Sequence, residues 1–299
     1  MYTYHLQVFH AVATYRSYSR AAREALHISQ PAVSKHVQAL EASLGVKLFH
    51  RVGREIALTE AGDIVLRYAQ QMQALTDETH QALRDLQGLQ RGSLHIGASA
   101  TAGTYLLPSI LAAFSQRYPG IELAMDVTNT EQVVSGLLAR QWTLGFAGNV
   151  PEHPVFHVQP YCRDPLVLMV PPGHRLARQK TVSLSDLTGE TWVLREPGSA
   201  SRQVVEQALT THGMAWQGHL HMPNNEAMKQ AIMAGLGIGM VSRLAVMLEV
   251  QHGLLCEISV VDLQIGRQIS VIYRTDVALS AAARAFLDVL SQQEATIKP

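Results

Sequence analysis

The chain has 299 residues, 47% apolar and 16% charged, with 24 basic side chains against 24 acidic ones. That length and apolar content call for more than one core, and no run approaches the roughly 20 apolar residues of a membrane span. The first residues lack the basic-then-apolar pattern of a signal peptide, so a cytoplasmic protein with no membrane partner is expected. Zero net charge argues against a generally basic nucleic-acid coat. The charge is uneven, however: residues 1–60 hold seven Lys/Arg against four Asp/Glu, whereas 93–299 hold fourteen against sixteen.

Leu6, Phe9, Val12 and Ala13 recur at helical spacing, so the chain opens with an amphipathic helix. Ser19 is the expected cap of a second helix carrying Ala21, Ala22, Ala25 and Leu26, and His27–Ser29 make a turn. Ser29 caps a third helix with Pro31 in its first turn, where a missing N–H costs nothing. Burying Val33, Val37, Leu40 and Leu44 turns Gln30, Ser34, Lys35 and Gln38 outward. Such side chains pair with base edges or phosphate when a recognition helix enters a major groove. The same spacing also suits a three-helix bundle with a polar outer face. Two short alternating runs, Lys47–Arg51 and Glu55–Leu58, flank Val52-Gly53-Arg54 and read as a hairpin. Arg51 and Arg54 at its tip suit a minor groove or phosphates, and equally a solvated turn.

From Thr59 no proline interrupts the chain until Pro108, which leaves room for a helix of about thirty residues and about 45 Å. Ala61, Val65, Tyr68, Met72, Leu75, Thr79, Ala82, Leu86 and Leu89 follow the 3.5-residue period of a coiled-coil seam. Val65, Tyr68, Met72, Leu75, Leu86 and Leu89 are therefore the candidate dimerisation residues. After a hinge at Arg91-Gly92-Ser93, strand and helix patterns alternate twice: first over Leu94–Ala147, then over Thr191–Val241. That rhythm predicts two α/β lobes on parallel, doubly wound sheets, with crossings near Tyr161–Val170 and Gly266–Arg274. Open sheets of this kind bind ligands beyond the carboxyl ends of their strands, at helix N-termini. The candidate effector contacts are Ser99, Ala100, Thr101 and Ala102 in the first lobe, with Thr128, Asn129, Ala147 and Gly148 on neighbouring strand ends. Ser199, Ser201 and Arg202 hold the equivalent place in the second lobe. Two loops rich in hydroxyls and free of acids suit an anionic guest; their plain alternative is helix capping.

Enzymatic readings find little support. Gly97-Ala98-Ser99-Ala100-Thr101 misses the last glycine of a nucleophile elbow, and Gly235-Leu236-Gly237-Ile238-Gly239 leads from helix to strand, the reverse of a dinucleotide fingerprint. His153 and His157 bracket Pro154, and His219 and His221 fall on one predicted strand; neither pair makes a metal site by itself. No cofactor or metal is expected. Cys162 and Cys256 are too few for a disulfide framework, and a redox pairing between them is left open.

Several of these residues fall together in an ordered pattern: Ser17-Tyr18-Ser19, Ala21-Ala22, Ser29-Gln30-Pro31-Ala32-Val33-Ser34-Lys35, Leu40-Glu41, Leu44-Gly45, Leu48-Phe49, Arg51 and Leu58-Thr59. It closely resembles the winged helix-turn-helix signature of LysR-type transcriptional regulators. Leu107-Pro108, Tyr118-Pro119-Gly120-Ile121, Arg195-Glu196-Pro197-Gly198-Ser199 and Ala234–Gly239 extend the likeness over essentially the whole chain. The resemblance implies an α/β protein with a winged helix-turn-helix at 1–59, a linker and dimerisation helix at 60–91, and a periplasmic-binding-protein-like effector domain at 92–299. Lobe I of that domain would take about 92–162 and 267–299, and lobe II about 163–266. It further implies that Ser29, Gln30, Pro31, Ala32, Ser34, Lys35 and Gln38, with Arg51 and Arg54 on the wing, meet double-stranded promoter DNA of dyad symmetry. Implied partners are a second copy in a homodimer, a homotetramer, a small anionic effector, and RNA polymerase if the protein activates. The effector half looks most like the branch of carbon-fixation and sulfur-assimilation regulators. Thr143 stands where that family often has aspartate, so a less negative cleft is expected, and with Arg202 this favours a sulfur oxyanion or a phosphorylated or carboxylated metabolite.

Overall fold

The computed structural model describes residues 2–52, 55–85, 92–214 and 219–294. It divides into two compact units, one built chiefly from Met1–Leu83 and the other chiefly from Arg84–Leu138 and Trp142–Pro299.

In the first unit, helix α1 (Tyr2–Tyr15) packs on α3 (Gln30–Leu44) through Val8, Val12, Val33 and Val37, all buried together with Ala21 and Ala22. The small alanines let the intervening segment lie close to both helices. That segment is a single turn, α2 (Tyr18–Arg20), which widens into a π-helical stretch over Ala21–Leu26. Its cap is Ser17, whose hydroxyl accepts from the Arg20 N–H at 3.3 Å, rather than Ser19. Both serines precede the alanines, but only Ser17 has the extended backbone that a cap requires. The left-handed His27 (φ 51°) closes the stretch. A hairpin of β1 (Phe49–Val52) and β2 (Glu55–Leu58) follows in antiparallel register.

The buried Glu41 carboxylate ties this wing to α3, accepting from the Leu48 N–H at 2.9 Å and from Lys47 Nζ at 2.6 Å. Burial pushes its pKa up, but the bonds from Lys47 and from the Leu48 and Phe49 amides outweigh burial and hold it below the usual carboxylate value. The hydroxyl of Thr59 donates to the Lys47 carbonyl and accepts from the Gly62 N–H, capping α4 (Glu60–Asp85). Gly62 is needed there: a Cβ would stand 2.2 Å from the Leu48 carbonyl oxygen.

The second unit is organised by a mixed eight-stranded sheet. It contains β3 (Gly92–Ser99), β4 (Ile121–Thr128), β5 (Leu144–Gly148), β6 (Phe156–Val170), β7 (Thr181–Val182), β10 (Gly239–Ser242), β11 (Cys256–Val260) and β12 (Ile265–Arg274). The order is β4-β3-β5-β12-β6-β11-β7, with β10 also pairing β6. The expectation of parallel sheets is corrected here. Strands β3, β4 and β5 are parallel, but β12 runs antiparallel to β5 and β6, and β6 antiparallel to β10 and β11. The segments read as crossings between lobes are themselves the two longest strands, and a strand returning from the other lobe enters its neighbour's sheet in reverse.

Lobe I surrounds Leu94, Ile96, Ile110, Phe114, Phe146 and Phe286. Its helices are α5 (Leu107–Arg117), extended by π-helical Ala102–Leu106, with α6 (Thr130–Leu138) and α10 (Ala281–Glu294). Lobe II surrounds Leu168, Val170, Trp192, Met228, Ile232 and Val241. It adds the parallel pair β8 (Trp192–Arg195) and β9 (His219–Met222), with helices α7 (Ala200–Thr211), α8 (Asn225–Met233) and α9 (Arg243–Gln251).

Cys162 pairs with Ile269 across the ladder and Cys256 with Val170. Eight residues of β6 therefore separate their levels, about 26 Å at strand rise, far beyond disulfide reach within one chain.

Candidate functional site

On the first unit, α3 presents the side chains expected of it. Ser29, Gln30, Pro31, Lys35 and Gln38 are exposed, and Ala32 and Ser34 half-buried. Ser29 occupies the N-cap position with extended backbone, yet its side chain makes no capping bond, and Gln30 Nε2 donates to Ser34 Oγ at 3.0 Å. His36 is held off this face between the rings of Tyr4 and His5, about 5 Å from each. Arg51 is exposed on β1, and Arg54 lies outside the described residues.

The α4 stripe splits in two. Val65 turns toward the buried Leu6, Phe9 and Leu40, so it is half-buried within its own unit rather than on a free seam. Tyr68, Met72 and Leu75 stay exposed, Tyr68 by 63%, and Ile64 joins them. Four large apolar side chains at steps of four, four and three form a stripe of the kind a partner helix covers. Leu86 and Leu89 lie outside the described residues.

Between the lobes of the second unit lies a cavity of about 490 Å³ bordered by Ala100, Tyr105, Thr128, Asn129, Glu196 and Asn225. Of the sequence-based contacts, Ala100, Thr128 and Asn129 line it directly. Behind them sits a buried polar cluster. Thr101 Oγ1 accepts from Arg267 Nη2 at 2.6 Å and from Asn225 Nδ2 at 2.9 Å. Arg267 also donates Nε to Asp164 Oδ2 at 2.9 Å, and the Ser242 hydroxyl donates to Asp164 Oδ1 at 2.6 Å. Burial pushes Arg267 below its ordinary pKa, and Asp164, itself fully buried, opposes that shift. The Arg267 stem crosses the Cα of Gly148, where a Cβ would come within 2.7 Å of Arg267 Cδ. Arg195 donates Nη1 to Asn225 Oδ1 at 2.5 Å and grips Glu196 with Nε and Nη2.

Two candidate hydroxyls stand out by their isolation. Ser99 Oγ, at the end of β3 opposite Thr128, and Ser201 Oγ, in the first turn of α7, are buried without a hydrogen-bond partner among the described residues, and both residues stand behind the cavity lining rather than in it. An unsatisfied buried hydroxyl costs on the order of 1–3 kcal/mol, a cost that a ligand acceptor would remove. Ser199 occupies the N-cap position of α7 without a side-chain capping bond, and Ala102 and Ala147 are fully buried.

Arg202 does not serve as a free cation. Its Nε donates to Glu206 and its Nη1 to the Arg195 carbonyl. The carboxylates in or beside the cleft, Asp164, Glu196 and Glu226, are each paired with a cation, Arg267, Arg195 and Lys229 respectively.

At the rim, Tyr105 of lobe I donates to Glu226 of lobe II, and Lys229 bonds Glu226 and Glu249 while lying over the Tyr105 ring. Burial and then the Glu226 bond push the Tyr105 hydroxyl up to about 12. Asp164, Arg195, Asn225 and Arg267 were absent from the sequence-based set. The available signal was a charge inside an apolar strand run, Asp164 before Leu166–Val170 and Arg267 within Ile265–Ile272.

Comparisons with known proteins agree with this architecture. Residues 3–63 match the model of the bacterial regulatory helix-turn-helix protein, lysR family, and residues 87–295 that of the LysR substrate binding domain. The RuBisCO operon transcriptional regulator of Allochromatium vinosum is 40% identical over 288 residues, spanning 96% of this chain and 95% of the relative. The regulatory domain of Synechocystis PCC6803 CcmR, solved with 2-PG, is 30% identical over 69% of this chain and 99% of its own, with a TM-score of 0.65. Full-length CbnR, solved with its target DNA, is 25% identical over 98% of this chain and 99% of its own, with a TM-score of 0.72. With both halves matched and relatives such as the RuBisCO operon transcriptional regulator covered nearly end to end, the chain belongs to the LysR family of transcriptional regulators.

Proposed function

We propose that this regulator acts in the cytoplasm and reads a two-fold symmetric promoter site with the exposed side of α3, Gln30, Pro31, Ser34, Lys35 and Gln38, together with Arg51 and Arg54 of the wing. Homodimers form through the α4 stripe of Tyr68, Met72 and Leu75, assemble into tetramers, and contact RNA polymerase where transcription is activated. DNA binding responds to a small metabolite carrying a phosphate, carboxylate or similar oxyanion, held between the lobes.

The observation that carries the effector assignment is the pair of orphaned hydroxyls, Ser99 Oγ and Ser201 Oγ, one from each lobe, at the starts of two helices whose first N–H groups have no intrahelical partner. Every described cation around the cleft already holds a carboxylate. The anion is therefore recognised by neutral donors and helix N-termini, with no counter-charge reserved for it. The likeness to a CcmR domain that binds 2-PG supports the same chemical class. A ligand that touches both lobes favours the closed arrangement and shifts the population toward it, which re-spaces the readers of an assembled dimer.

Thermal unfolding of the full-length chain with 2-PG, inorganic phosphate, sulfite, sulfate and glycolate tests this. Selective native-state binding at a hundred times Kd adds about 2.7 kcal/mol. A selective rise that Ser99→Ala and Ser201→Ala abolish supports the reading, and the absence of a rise with any oxyanion overturns it.

A further inference from the structure

The hydrogen bonds around Thr101 have a direction that arginines at both ends impose. A threonine hydroxyl offers one proton and two acceptor positions, and a guanidinium can only donate. Arg267 Nη2, at 2.6 Å, therefore takes one acceptor position of Thr101 Oγ1. The second contact is with Asn225, an amide that can present either its oxygen or its nitrogen. Its orientation is settled on the far side, where Arg195 Nη1 stands 2.5 Å from the other amide atom and can donate only to oxygen. Asn225 must then face Thr101 with its NH₂, at 2.9 Å. Arg195 is held in turn by the two-pronged grip on Glu196, and Arg267 by Asp164 and Ser242. Both acceptor positions of Thr101 are thus filled by obligate donors, and among the described residues its own proton goes to no acceptor. All these side chains but Glu196 are buried, so water does not offer an easy alternative.

We propose that the chain Arg195–Asn225–Thr101–Arg267 is a polarity relay that makes Thr101 an obligate donor, so that only an acceptor atom of the effector can sit against it. This rests on the cleft being the effector site and deepens that reading. It adds that Asn225 and Arg195 of lobe II are positioning residues that fix the chemistry a lobe I hydroxyl accepts, without touching the ligand through the relay itself. A ligand ammonium facing Thr101 finds no lone pair and a ligand hydroxyl can only accept there, whereas a phosphate or carboxylate oxygen, an acceptor only, meets a proton that no described residue takes.

The test is titration calorimetry of 2-PG into the full-length protein and four variants: Asn225→Asp, Asn225→Ala, Thr101→Val and the double variant Asn225→Asp/Thr101→Val. Asn225→Asp keeps the shape and the bond to Arg195, but its carboxylate draws the Thr101 proton to itself. The relay predicts a loss of affinity of about tenfold or more, the worth of a hydrogen bond to a charged group, and a smaller loss for Asn225→Ala, which leaves the proton free. In the Thr101→Val background the aspartate effect shrinks to about threefold or less. A purely structural role predicts the opposite order, alanine worse than aspartate. Plain charge repulsion predicts an undiminished aspartate effect without the hydroxyl, and either result overturns the relay. If the wild-type protein binds no oxyanion, the effector reading fails by itself. The relay is then judged on the ligand-free protein, by an NMR cross-relaxation contact between the Asn225 side-chain NH₂ and the Thr101 methyl. Its presence supports the relay, and an amide oxygen facing Thr101 overturns it.

Discussion

The reading unit and the sensing unit place polarity in opposite ways. Among the described residues of the reader the interior is apolar except for Glu41, whose carboxylate is engaged with Lys47 and the wing backbone, and the side chains with functional chemistry stand in solvent on α3. In the sensor the polar side chains are inside: Asp164, Arg195, Asn225, Arg267, Thr101, Ser99 and Ser201 are all nearly inaccessible, and two of them are unsatisfied. A surface that meets DNA phosphates works through exposed donors whose hydration is replaced on binding. A cleft that must distinguish one small molecule works through donors already stripped of water, which penalise the wrong guest.

The contrast can be broken first at Asp164. Asp164→Ala leaves Arg267 charged and fully buried, and removing one partner of such a pair costs about 3–5 kcal/mol. Denaturant unfolding should show this loss in the transition of the second unit and leave that of the first unchanged. Next comes Glu41, the buried carboxylate of the reader. Glu41→Ala strands the Leu48 N–H and should cost about 1–3 kcal/mol at neutral pH. The folded-state pKa of Glu41 is depressed, so its contribution is present above the ordinary carboxylate value and lost as pH falls through the lower folded value. The gap between wild type and variant, followed by urea titration, should therefore close in acid.

Ser201→Ala is expected to work in the other direction. Removing a buried hydroxyl without a partner leaves the ligand-free sensor as stable or more stable by up to about 1 kcal/mol, while the stabilisation by 2-PG disappears. A destabilised ligand-free variant would mean that the hydroxyl has a partner of its own. Smallest in stability is Lys35→Ala, within about 0.5 kcal/mol of wild type. Promoter affinity should nevertheless fall, and if Lys35 meets a phosphate, the slope of log K against log salt should drop by about one. An unchanged footprint would remove Lys35 from the reading face.

The two units also differ in how far they can be read from sequence. On α3, burial repeats with helix period, so naming the buried Val33, Val37 and Leu40 identifies the outward Gln30, Lys35 and Gln38 at once. Hydroxyls at the strand ends could be found the same way, from position relative to a predicted helix start. The Arg267–Asp164 pair could not, because its members are 103 positions apart on strands first read as crossings, and Asn225 meets Thr101 across 124 positions. A single polar residue in a strand carries no local sign of its partner. Val65 is ambiguous for a related reason: the seam period alone does not say which side of α4 its own unit claims, and Val65 packs partly on that unit's core. The distinction between Ser17 and Ser19 rests on one backbone angle that both sequences of residues permit.

The long strands β6 and β12 have a last consequence. They pair with each other through both lobes, with a register shift at Ile269/Ser270 that leaves Tyr161 as the extra residue. Two lobes hung on one continuous ribbon cannot swivel as bodies on loose cords do. A change in the angle between the lobes has to bend this paired ribbon, and the bulge at Tyr161, where the ladder is interrupted and the strand bent and twisted, is where the ribbon departs from regular pairing.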